Sequence, residues 1–90
     1  MYKSVIAGYS RSPFTMAKKG ELIDIKPVNL LSEVIKNLVS KSKVNSKDIE
    51  DIIIGCAFQV GEQCFNIGKL VSFLSEMDIK TSGMIVDRWC

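Results

Sequence analysis

Histidine is absent from all 90 residues, which removes the side chain most often used as a general base near neutral pH and as a zinc ligand. Proline occurs only at Pro13 and Pro27, so long stretches are free to form regular structure and each proline marks a break. Cysteine is scarce and odd in number, at Cys56, Cys64 and Cys90. Their spacing fits no zinc pattern, so no metal site is expected. An odd set without a secretory leader points to a reducing, cytoplasmic setting. A leader is discounted because Val5 to Tyr9 is too short for a signal core and Arg11 closes it. Long hydrophobic runs are missing too. Ile52 to Phe58, interrupted at Gly55, falls far short of the roughly 20 residues that cross a bilayer, so no membrane span is expected. Charge of one sign is also lacking: 12 Lys plus Arg face 10 Asp plus Glu. The lysines are scattered (Lys18, Lys19, Lys36, Lys41, Lys43, Lys47), so no basic stripe follows a phosphate backbone and nucleic acid is not an expected partner.

What is present belongs to a folded protein. An apolar fraction of 47% with 24% charged residues is a globular composition. The length allows one small domain, which buries only about two-thirds of the surface its unfolded chain exposes.

In order along the chain, Ser4-Val5-Ile6-Ala7-Gly8-Tyr9 is a β-branched apolar run that stops at Arg11-Ser12-Pro13 and reads as a buried strand. Phe14 to Ile25 is a loop. Pro27 suits a first helical position, where its missing N–H costs nothing. Val28, Leu31, Val34, Ile35 and Leu38 recur at helical spacing, with Glu33, Lys36, Asn37 and Ser40 on the wet side. Ser40-Lys41-Ser42-Lys43 ends that helix, and Asn45 to Asp48 offers capping side chains for a single turn. Asp51-Ile52-Ile53-Ile54-Gly55-Cys56-Ala57 is apolar without alternation, the pattern of a strand covered on both faces of a parallel sheet. The simplest account is a βαβ unit made of the first strand, this helix and this strand. Phe58 to Phe65 is a loop, Asn66 caps the next helix, and that helix is expected to bury Ile67, Leu70, Val71 and Leu74. Met84-Ile85-Val86 forms a third strand. The fold class is α/β, in the order strand, helix, strand, helix, strand.

The ordered motifs resemble the N-terminal part of the thiolase family, the acyl-CoA acetyltransferases and 3-ketoacyl-CoA thiolases. Arg11-Ser12-Pro13-Phe14 is similar to the family's Arg-Thr-Pro-Phe, with serine for threonine. Gly55 to Gln63, followed by Asn66-Ile67, looks like the segment that ends the family's second strand. Met84-Ile85-Val86-Asp87-Arg88-Trp89-Cys90 is similar to the strand and Val-Asn-Arg-x-Cys or Val-Asp-Arg-x-Cys run that presents the nucleophile. The resemblance implies an incomplete, layered thiolase-like half-domain over residues 1–90, truncated at the nucleophilic cysteine.

It also implies that Cys90 is the catalytic residue of an acyltransferase in fatty acid metabolism. Acyl-CoA or β-ketoacyl-CoA would be the substrate, an acyl-cysteine the intermediate, and no cofactor beyond the coenzyme A thioester would be needed. The family's Gly-Ser-Ser or Gly-Ser-Gly continuation, its histidine segments, its second cysteine and its asparagine are missing, so the chain alone is expected to be inactive. The expected partners are the remainder of a thiolase chain or a thiolase subunit, with a homo-oligomer for the intact enzyme. The alternative is a non-catalytic remnant or interaction module pairing with a thiolase subunit.

Cys56 and Cys64 read as structural. Gln63 and Asn66 are expected to make loop and capping hydrogen bonds. Arg11 braces local backbone or meets a carboxylate or phosphate, Trp89 is a buried aromatic or lines an acyl pocket, and Lys18 and Lys19 are solvated.

Overall fold

In a computed structural model that describes residues 2–89, the element order is helix, strand, helix, strand. Helix α1 spans Pro27–Ser42 and begins on its proline, preceded by an extended Lys26 with no side-chain cap. Its last turn carries Lys41, and Lys43 closes it in the left-handed region at φ 56°, its N–H bonding the Ser40 carbonyl. A single 3₁₀ turn follows at Ser46–Asp48, where the Asn45 side chain accepts from the Lys47 N–H at 3.0 Å. Strand β1 is Asp51–Gly55, helix α2 is Ile67–Leu74 and strand β2 is Ser82–Val86.

The two strands pair in parallel, with Ile53 opposite Met84 and Ile54 opposite Ile85. The ladder continues past both ends through Ser82 N–H to Glu50 O and Cys56 N–H to Val86 O, each 3.0 Å. Helices pack on one face of this ribbon. Val28 of α1 and Ile67 and Val71 of α2 form the buried cluster, with Leu31, Ile35, Ile54, Cys56 and Ile85 packed around it. Thr81 ties the ends together from a fully buried position, its hydroxyl donating to the Ile49 carbonyl at 2.8 Å.

Four expectations are corrected. Ser4–Tyr9 is not a strand: it is unpaired, with Val5 82% and Ile6 95% exposed. An apolar β-branched run becomes a strand only where a neighbour offers its edge. This one instead lies along the C-terminal half of α1, held by Ser10 Oγ donating to Asn37 Oδ1 at 3.0 Å and by Lys41 Nζ, which reaches the Tyr9 carbonyl and ring. The βαβ unit is consequently β1, α2 and β2, and not the one built from the N-terminal run.

The central strand is shorter than expected and covered on one face only, since Ile53 points away from the helices and is 60% exposed. Helix α2 is also rotated from the expected face. Ile67 and Val71 are buried as expected, but Gly68 and Ser72 accompany them, while Leu70 and Leu74 are exposed. The cause is backbone contact: a Cβ on Gly83 would sit 2.4 Å from the Gly68 carbonyl carbon and the Lys69 nitrogen. The strand crosses α2 at its smallest side chains, and the leucines turn outward.

Candidate active site

Parallel pairing places the carboxyl ends of β1 and β2, Gly55 and Val86, at the same edge of the ribbon. Ligand sites of open parallel sheets lie beyond that edge, because loops leave the strands there and backbone groups are free. Two segments meet at it: the loop from Cys56 to Gln63 and the turn Asp87–Trp89.

The loop is fixed by its own side chains. Gln63 Nε2 donates to the Phe58 carbonyl at 2.8 Å and lies 3.5 Å from Cys56 Sγ, while Cys56 Sγ donates to the same carbonyl at 3.3 Å. A 3₁₀ turn at Gly61–Gln63 brings the glutamine back over the loop, and Gly61 takes a φ of 58° that favours glycine. The turn after β2 is organised by Asp87. One carboxylate oxygen accepts from the Trp89 N–H at 3.3 Å, and the other accepts from Gln59 Nε2 at 3.4 Å. Trp89 adopts φ 51°, a region bulky residues seldom occupy, and its indole meets the Phe58 ring edge to face, with centroids 4.8 Å apart and planes at 68°.

Helix α2 is anchored to β2 by the residue expected to cap it. Asn66 Oδ1 accepts from the Lys69 N–H at 3.2 Å, and its Nδ2 donates to the Gly83 carbonyl at 2.8 Å. Lys69 braces the next connector, donating to the Ile79 carbonyl at 3.1 Å and the Thr81 carbonyl at 2.6 Å, with Nζ 4.8 Å from the Phe73 ring centre. The strand leading to Asp87 and the connector before it are thus tied to the first turn of α2.

Cys90, the expected catalytic residue, lies outside the described residues, directly after Trp89 in sequence. Cys56, Gln63 and Trp89 are brought together through Phe58, whereas Asn66 serves the helix start. Cys56 and Cys64 are free, half-buried thiols. Trp89 is exposed and not buried. Arg11 is exposed beside Leu30 and Glu33 of α1, away from the strand ends, and Lys18 and Lys19 are exposed. Phe58, Gln59 and Asp87 stand in the sequence only as members of the motif segments, with no individual role assigned to them. No local pattern marks them, because the partners they meet sit about 30 positions away in sequence. Among the described residues no group of three or more His, Cys, Asp or Glu could hold a metal, and no helix is long and apolar enough to cross a membrane.

Comparison with known proteins places this geometry in context. Residues 4–90 match the family model described as "Thiolase, N-terminal domain". A 3-ketoacyl-CoA thiolase of Marinomonas sp. (strain MWYL1) is 36% identical over 87 residues, covering 96% of this chain and 22% of the relative. The 3-ketoacyl-CoA thiolase of Bacillus subtilis (strain 168) is 30% identical over 90 residues, 100% of this chain and 23% of the relative. That of Colwellia psychrerythraea (strain 34H / ATCC BAA-681) is 34% identical over 91 aligned positions, 100% of this chain and 24% of the relative. The chain spans less than a quarter of the length of these curated relatives.

Proposed function

The chain belongs to the thiolase family, and from that premise we propose that Cys90 is the acyl-carrying nucleophile of a thiolase-type acyltransferase acting on acyl-CoA and β-ketoacyl-CoA. The observation that carries the reading is the family match over residues 4–90, which ends on the Val86-Asp87-Arg88-Trp89-Cys90 run leaving β2. The convergence of both strand ends on that run supports it. Residues 1–90 are proposed as part of the family's N-terminal domain, working in cytoplasmic fatty acid metabolism within a homo-oligomeric enzyme.

In this reading the Cys90 thiolate attacks the carbonyl carbon of a thioester. A carbon–sulfur bond forms to Cys90, the bond to the coenzyme A sulfur breaks, and the departing thiolate takes up the proton that the Cys90 thiol released. With a β-ketoacyl-CoA the attack falls on the keto carbon. The carbon–carbon bond breaks, the acetyl-CoA carbanion takes the proton, and coenzyme A then removes the acyl group from Cys90. Acyl transfer of this kind involves no net oxidation and calls for no cofactor beyond the thioester. With no histidine in its sequence, the chain depends for proton transfer on further polypeptide, the remainder of a thiolase chain or a thiolase subunit, and is inactive alone.

Co-expression with the part of the Bacillus subtilis relative beyond its matched segment should give cleavage of 3-ketoacyl-CoA, read as acetyl-CoA formed. Cys90→Ala should abolish it, and equal activity of the Cys90→Ala protein would overturn the assignment. A second reading, a non-catalytic module that pairs with a thiolase subunit, is favoured by the open sheet face at Ile53 and Met84 and by the exposed Leu70, Phe73 and Leu74 of α2. Native mass measurement with the intact Bacillus subtilis relative tests it. A chain that stays monomeric beside that subunit removes this reading.

A further inference from the structure

We draw no further inference here: the strongest candidate, the apolar surface patch that Ile53 and Met84 form on the open face of the two-stranded sheet, carries nothing beyond the readings already given, because nothing in the structure shows what covers it.

Discussion

Replacing Gly83 by alanine should be among the most damaging single-methyl additions available in this protein. The added Cβ would lie 2.4 Å from the Gly68 carbonyl carbon and from the Lys69 nitrogen, against 3.4 Å for ordinary van der Waals contact. Both atoms are backbone of α2, so no side chain can swing aside, and the helix must retreat from β2 by about 1 Å. That retreat pulls on the Asn66 bond to the Gly83 carbonyl at 2.8 Å and opens the contact between Ile85 and the Val28, Ile67 and Val71 cluster. Overpacking a tight core costs about 1–3 kcal/mol. With backbone on the opposing side the upper figure applies, so we expect a loss of about 3 kcal/mol, or roughly 12–24 °C in midpoint for a chain of this size. Gly55→Ala is the control, because its Cβ would meet nothing within 4 Å; its effect should stay within about 0.5 kcal/mol. Urea titration followed by far-ultraviolet circular dichroism gives both values. A Gly83→Ala protein as stable as the Gly55→Ala protein would refute the close crossing of α2 over β2.

Asn66→Ala removes the cap on α2 and the tie to β2, and should cost about 2 kcal/mol by the same titration, whereas Asn66→Asp, which keeps the capping oxygen, should cost less. Val71→Ala empties a fully buried position at the centre of the cluster and should cost about 2–3 kcal/mol from two lost methyl groups and the cavity they leave. Lys69→Met keeps much of the stem but loses the charged donations to the Ile79 and Thr81 carbonyls. Amide exchange in the connector from Ile79 to Ser82 should accelerate by at least about tenfold, with little change in α1.

The elements that could be read along the chain were those whose cause is local. Pro27 starts α1 because its ring needs no N–H partner there, Asn45 and Asn66 cap the turns that follow them, and the lysines around Ser42 close the first helix. The apolar runs at Ile52–Ile54 and Met84–Val86 form strands because each finds the other as a partner. Ser4–Tyr9 has the same composition and forms none, since pairing is a property of two segments. The face of α2 could not be read for a similar reason. Leu70 and Leu74 have the helical spacing of a core, but the contact was decided by how closely Gly68 can approach Gly83.

The sequence by itself determined the α/β class, the helix starts, and membership of the thiolase family, because these follow from local chemistry and from ordered motifs that survive without a neighbour. Only the tertiary structure decided that Phe58 meets Trp89, that Gln59 meets Asp87, and that one strand face stays open. Those contacts join residues about 30 positions apart in sequence, and they exist because two parallel strands deliver their carboxyl ends to the same edge.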